Sequence, residues 1–305
     1  MIYLVFPTSW HPSQPYLSLP SLKAFLNQNG VHDVVQRDLA IELLNDLCTW
    51  EKTKPLYEKI IRELNELSSR PSLTQVESEK FAKLREAEEI VMALKDQIDF
   101  AINSQRSPDF YEIDQYMENL KVMDVWLDNI LAPYYPSQLT VIGSQMRFSP
   151  YSSKEVIDSF SHPEENFFYD LYEKWYLDDI LKQDIDIFGI SITSVEQIIS
   201  GLTLAYLVKK NRPEIHITVG GSVFTKLVDR LEKDASPLFD FVDSFIVHEG
   251  ETPLLRLVEH LRGDGDLSKV PNLIYKEEGV VKVNRPFAKE ELNALPTPDF
   301  DGLPL

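Results

Sequence analysis

The chain has 305 residues, of which 43% are hydrophobic and 26% charged, a balance that excludes disorder as its main state. Lys and Arg total 30 against 49 Asp and Glu, a formal net charge of −19 that argues against nucleic acid or an anionic membrane as a main partner. The single cysteine, Cys48, excludes an intrachain disulfide and any metal or iron–sulfur site built from several thiolates of this chain.

The N-terminus has no basic region before its short apolar run, so Ile2–Phe6 reads as a strand buried on both faces rather than a signal peptide. No run approaches the ~18–20 apolar residues of a membrane span, and the chain is expected to be soluble and cytoplasmic. A proline-rich loop, Pro7 to Pro20, leads to a helix over Leu19–Asn29 that Gly30 ends, and Val31–Arg37 is the second strand, closing at Asp38.

From Leu39 to Tyr135 the period changes to that of helices. Leu56, Ile60, Ile61, Leu64 and Leu67 form one stripe, and Pro71 breaks it. Thr74 and Glu77 form a capping box for the next helix, which carries Leu84, Val91, Leu94, Ile98 and Ala101. After Pro108 a third stripe runs from Phe110 to Ile130. Residues 41–136 therefore read as an all-helical insertion packed as a small bundle, in which Cys48, Trp50 and Trp126 serve packing. Residues 134–163 are irregular and rich in Ser, Pro and Tyr, and a short helix follows over Asn166–Leu181.

The α/β pattern then resumes. Asp186–Ile192 is a strand, and Ser194 with Gln197 suggests a capping box opening a helix to Lys210. Ile215–Val219 is a strand ending in Gly220-Gly221-Ser222, followed by a helix over Phe224–Lys233. Phe245–Val247 is a strand ending in His248-Glu249-Gly250-Glu251, and Thr252 is placed to cap a helix with Pro253 at its first position. A β-hairpin, Asn272–Lys276 and Val280–Asn284, closes the domain. The expected fold is α/β: a doubly wound, flavodoxin-like, mainly parallel five-stranded sheet of order 2-1-3-4-5 with a C-terminal hairpin. The expected organisation is one domain from residues 1–40 and 137–285, the insertion 41–136, and a linker 286–305.

In such a sheet, ligands bind beyond the carboxyl ends of the strands. Four loops should meet there, offering Trp10 and His11, then Ser191, Thr193 and Gln197, then Gly220, Gly221 and Ser222, then His248, Glu249, Gly250 and Glu251. A glycine pair lets a ligand approach the backbone, and hydroxyls with helix N-termini offer hydrogen bonds. One tight glycine turn is common to any doubly wound domain; three such segments in this order are more specific. The sequence has no GxxxxGK[ST], GxGxxG or HExxH, so the nucleotide-triphosphate, dinucleotide and zinc-protease readings lose their main support. Glu249 and Glu251 suit helix capping or ligand binding as well as acid–base work.

These segments carry a resemblance. Phe188-Gly189-Ile190-Ser191-Ile192, then Gly220-Gly221-Ser222, then Glu249-Gly250-Glu251-Thr252 resembles the cobalamin-binding domain of cobalamin-dependent radical SAM enzymes. The tail Leu295-Pro296-Thr297-Pro298-Asp299-Phe300-Asp301-Gly302-Leu303 looks like that family's linker into its radical SAM barrel. Gln197, Tyr151-Ser152-Ser153 and Asn166-Phe167 look like the subgroup seen in peptide natural-product maturation. The likeness covers roughly residues 1–40 and 137–305 and leaves out the helical insertion. It implies a cobalamin-binding module, with Ser191, Thr193, Gly220, Gly221 and Ser222 along the nucleotide tail, His248 to Glu251 beside the corrin, and Trp10 and His11 closing one side. It implies a parent enzyme with a [4Fe–4S] cluster and S-adenosylmethionine, a barrel in cis, and methyl transfer to an unactivated carbon of a peptide or small molecule.

The sequence departs from the family in three places. His248 stands where the family has the first glycine of its GEGE segment. Asp38-Leu39-Ala40-Ile41 lacks the histidine of DxHxxG, leaving His248 as a candidate cobalt ligand. The CxxxCxxC motif is missing, so this chain alone is not expected to cleave S-adenosylmethionine. Two other readings use the same loops or the insertion: a flavodoxin-like domain for another cofactor such as flavin, and a non-catalytic module that recruits a peptide or protein through its helical stripes.

Overall fold

The alternation of short β-branched runs with amphipathic segments resolves, in a computed structural model describing residues 1–11, 14–234 and 236–305, into nine strands and twelve α-helices. Pro12, read above as part of the first loop, lies outside the described residues.

In chain order the elements are β1 (Ile2–Phe6), α1 (Ser18–Gln28), β2 (Val34–Asp38), α2 (Leu39–Leu47), α3 (Trp50–Ser68), α4 (Gln75–Ser104) and α5 (Ile113–Ile130). A two-residue ribbon, β3 (Gln138–Leu139) with β4 (Ser144–Gln145), leads to α6 (Ser153–Ser159), α7 (Phe167–Trp175) and α8 (Leu177–Leu181). Then come β5 (Ile187–Ser191), α9 (Gln197–Asn211), β6 (His216–Gly220), α10 (Ser222–Lys226), α11 (Val228–Asp234), β7 (Ser244–Ile246), α12 (Glu251–Leu261), β8 (Leu273–Glu277) and β9 (Val280–Val283).

The main sheet has seven strands in the order β2-β1-β5-β6-β7-β8-β9, not five. The first five are parallel. The difference lies in the hairpin: β8 pairs antiparallel with β7, through Ser244 opposite Tyr275, and so extends the same sheet. Successive strand residues point to opposite faces, and each face has its own apolar layer. Tyr3, Val5, Phe188, Ile190, Ile217, Val219 and Phe245 face a large core shared with α2–α5, α7 and α9. Ile2, Leu4, Phe6, Ile187 and Ile246 face a smaller layer closed by Leu19 and Leu26 of α1 and by Leu254, Leu257 and Val258 of α12. Because the large core continues from the sheet into the helical segment, Trp126 of α5 is fully buried and its indole N–H donates to the Leu47 carbonyl at 2.6 Å.

Local signals fix several helix starts. The Thr74–Glu77 capping box forms, with both reciprocal bonds present. Ser194 with Gln197 does not form one: α9 has no side-chain cap, and Gln197 alone reaches back, to the Thr193 and Ser194 N–H groups. Nor does Thr252 cap α12, whose N-cap is Gly250. The Thr252 N–H is instead taken by Glu290 of the C-terminal segment, at 2.9 Å.

Asp38 caps α2 by accepting from the Ala40 and Ile41 N–H groups at 3.0 and 3.2 Å. Burial outweighs these bonds and pushes its carboxyl up to about 6 from an ordinary 3.8. The folded chain therefore binds the proton more tightly than the unfolded chain, and this residue's contribution to stability falls as pH rises from about 4 to about 6. Asp38→Asn keeps an acceptor for both N–H groups without the buried charge. It is expected to stabilise the fold at pH 7 by about 2 kcal/mol, a gain that shrinks as the pH is lowered through 6 toward 4. Urea denaturation of both proteins at pH 4, 5, 6 and 7 checks this; an offset independent of pH would refute it.

Candidate functional site

The strand order places a crossover point between β1 and β5: the chain leaves β1 toward β2 on one side and later enters β5 on the other. Beyond the carboxyl ends of β1, β5, β6 and β7, between the sheet and the α1–α12 layer, lies a cleft of about 370 Å3. Its floor is made by side chains that are small for a sheet. Leu4, Gly189 and Thr218 are neighbours in register across β1, β5 and β6. A Cβ on Gly189 would stand 2.8 Å from Leu4 Cδ2 and 3.7 Å from Thr218 Cγ2, so the missing side chain is what leaves the space. Tyr16, Ser18, Leu19 and Leu22 line one wall and Leu254 another. The wall is mainly apolar, with polar groups at Tyr16 and at Ser18, whose Oγ is enclosed and has no hydrogen-bond partner among the described residues.

Nine of the twelve residues singled out from sequence come together around this cleft: Ser191, Thr193, Gly220, Gly221, Ser222, His248, Glu249, Gly250 and Glu251. The β5 and β6 loops are pressed backbone to backbone. The Ile192 N–H donates to the Gly220 carbonyl at 2.8 Å, and Ser222 Oγ donates to the Thr193 carbonyl at 2.8 Å. Gly221 adopts φ +110°, and a Cβ there would lie 2.0 Å from the Ile192 carbonyl oxygen. Glycine is thus demanded both by the dihedral and by the neighbouring strand end.

Trp10, His11 and Gln197 sit elsewhere. The Trp10 indole N–H donates to the Gln14 carbonyl at 2.7 Å, and its ring packs edge-on against Phe6 and Tyr16. It thereby buttresses Tyr16, which does line the cleft and stacks on Phe6 at 5.4 Å. His11 faces the helical segment, its Nε2 3.5 Å from the Tyr116 hydroxyl; burial lowers its pKa and Asp124 opposes that. Gln197 is fully buried and ties two loops together. Its Oε1 accepts from the Thr193 N–H and hydroxyl, and its Nε2 donates to the Pro7 carbonyl at 2.8 Å.

At the mouth, His248 holds φ +61°, a left-handed backbone that a non-glycine residue adopts at a cost on the order of 1 kcal/mol. Here the turn is held by the His248 N–H donating to Thr225 Oγ1 at 2.7 Å and by the imidazole packing on Phe287 at 4.4 Å. Phe287 belongs to the segment 286–305, read above as a linker, which docks on the rim. Asn272 bonds Ala288 through both ends of its amide and also donates to the Glu249 carbonyl. The Glu290 N–H donates to Glu249 Oε2, while the Glu290 carboxylate takes the Thr252 N–H. The segment then crosses α1: the Asp299 N–H donates to the Pro20 carbonyl, Lys23 pairs with Asp299, and Gln36 of β2 donates to the Asp299 and Asp301 carbonyls. Burial raises the Glu251 pKa, and the nearby Glu249 and Glu290 charges add to that. A mouth with three carboxylates disfavours an anionic ligand there and suits amide or hydroxyl donors.

The α1 wall, Thr218 and the docked tail escaped the sequence reading. The apolar face of α1 carries the same signal as any core helix, and Thr218 looks like an ordinary strand residue. No motif announces a carboxylate that caps a helix from 38 residues away. Among the described residues no group of three or more His, Cys, Asp or Glu is arranged to hold a metal ion, and no helix is long and apolar enough to cross a membrane. Compared with protein-family models, with curated proteins and with solved structures, the chain matches none.

Proposed function

We propose that this chain is a cobalamin-binding module, taking the cofactor's nucleotide tail into the cleft between the sheet and the α1–α12 layer. The observation that carries the reading is the convergence of the strand-end segments on one cleft whose floor is opened by Gly189. The cleft is of a size for a planar ring and a sugar, within the ~300–1,000 Å3 of small-molecule sites, and not for a whole corrinoid. In this reading the corrin rests on the rim, where its amide side chains meet Glu249 and Glu251. The unpaired Ser18 hydroxyl and the enclosed apolar wall are further features that suit a bound tail.

Bound cobalamin would supply a transferable methyl group, as in the enzymes the sequence resembles. The residues of this chain would hold the tail, orient the ring and keep water from its lower side. Cys48, the only cysteine, is fully buried and its thiol is pushed well above the ordinary range, so cluster chemistry would have to come from residues outside this chain. Transfer to a carbon of a peptide or small molecule, with S-adenosylmethionine and a [4Fe–4S] barrel in cis, belongs to that parent.

The test is titration of the chain with hydroxocobalamin, followed by gel filtration. Co-elution of the corrin spectrum at about one equivalent is the expected result, and a shift of the absorption bands reports whether His248 coordinates cobalt. Corrin eluting entirely free of a folded chain would overturn the reading.

A further inference from the structure

A second pocket, of about 400 Å3, opens into the large core on the other side of the sheet from the cleft. It is lined by Val156 of α6, Ile198 and Leu202 of α9, Phe224 of α10, Leu231 of α11 and Leu238. All six belong to the large core, and none is more than 6% exposed. Protein interiors leave few voids larger than a water molecule, so core side chains facing a space of this size mark a position that the chain itself does not fill. The polar side chains lining it are Tyr151, Ser153 and Arg230. Tyr151 is 78% exposed and Arg230 is exposed too, so these groups mark the open end. A water held among the six apolar side chains would lack the two to four polar partners that favour buried water. Arg230 is the one charged side chain among the described lining residues, in a chain whose net charge is −19. It makes a contact of its own within the chain, and its guanidinium carries five N–H donors in a fork that matches a carboxylate.

We infer that this pocket is a second binding site, for a medium-chain carboxylate whose aliphatic chain lies among the six core side chains and whose head stays at the open end with Arg230. The volume sets the length: an apolar cavity of roughly 150 Å3 holds one benzene ring, so this pocket has room for a chain on the order of ten carbons. The charge sets the head group, because the one charged side chain at the open end is a cation on an otherwise acidic protein. The site goes beyond the cofactor reading and does not rest on it, since no residue lines both the cleft and this pocket.

The test is isothermal titration of the full chain with hexanoate, octanoate and decanoate, and with decanol and decyltrimethylammonium. Affinity is expected to rise about fourfold per added methylene up to decanoate, as each enters the apolar space. Decanoate is expected to bind about tenfold more tightly than decanol, and decyltrimethylammonium more weakly than either. Arg230→Gln should bring decanoate down to the decanol level while leaving decanol unchanged, which loss of structure would not do, and Arg230→Lys should keep part of the preference. Leu227 lines the same pocket from a half-buried position, so Leu227→Trp should fill it and abolish binding of decanoate and decanol alike. Ser153→Phe, which narrows the open end without entering the core, is the second blocking variant, and circular dichroism with a thermal melt establishes that each variant folds. Decanoate that fails to bind wild type at millimolar concentration would overturn the inference. Decanol or the cationic probe binding as well as decanoate would overturn the assignment of the head group. Undiminished decanoate binding to a folded Leu227→Trp or Ser153→Phe protein would move the ligand out of this pocket and overturn the site.

Discussion

Gly221→Ala is expected to cost about 4 kcal/mol or more and to lower the melting temperature by at least ~10 °C, or to prevent soluble folding altogether. Two independent violations meet at this position. The added Cβ would lie 2.0 Å from the Ile192 carbonyl oxygen and 2.9 Å from its backbone nitrogen, and the residue holds φ +110°. Neither neighbour is the free end of a side chain, so relief requires the β5 and β6 ends to separate. Separation would break the Ile192–Gly220 and Ser222–Thr193 hydrogen bonds together. Gly30→Ala is the matched comparison: φ is +83° but nothing lies within 4 Å of the new carbon, so only the dihedral cost of about 1 kcal/mol applies. Thermal melts of both variants check the contrast. Equal melting temperatures would mean that the two strand ends are not in contact as described.

Gly189→Val is expected to weaken hydroxocobalamin binding at least ~100-fold, about 2.7 kcal/mol, while leaving the chain folded. Its nearest obstacle is Leu4 Cδ2 at 2.8 Å, the far end of a flexible side chain, and valine suits a strand interior. The side chain gains room by moving Leu4, and both then occupy the floor of the cleft. Isothermal titration with hydroxocobalamin, read beside a thermal melt, separates blocked space from lost fold. Binding that survives intact in a folded Gly189→Val protein would move the ligand out of this cleft. Ser222→Ala serves as the mild control, because the Ser222 hydroxyl is committed to the Thr193 carbonyl.

What the sequence made legible, and what it hid, divides along a physical line. Residues at strand ends were readable because a short apolar run followed by Gly, Ser or an acidic turn has few other meanings; Ser191, Gly220 and Glu249 were found this way. The Thr74–Glu77 box was readable because both partners lie within one turn. Interactions joined only by folding were not. Thr252 looked like a cap by type and spacing, but its own N–H is capped from Glu290. Gln197 looked like a ligand contact or a box partner and proved to be a fully buried tie between two loops. The hairpin was legible as two strands, yet nothing local to it said that β8 would add to β7 and enlarge the sheet to seven strands. Trp10 was singled out for its place in the first loop, whereas the wall is made by Tyr16, which Trp10 supports.

The docked C-terminal segment is held mostly by its main chain. Asn272 reads the N–H and carbonyl of Ala288, Glu249 takes the Glu290 N–H, and Gln36 and Lys23 reach the carbonyls of Asp299 and Asp301. Phe287, Glu290 and Asp299 answer with side chains of their own. The address for this segment is therefore written on its receiving surface, not in its own letters. Substitutions along it that preserve an extended backbone should be tolerated, while changes at Asn272 or Gln36 release a stretch that neither residue belongs to. Divergence between related chains would then gather in the segment itself, and constancy in the amide side chains that receive it.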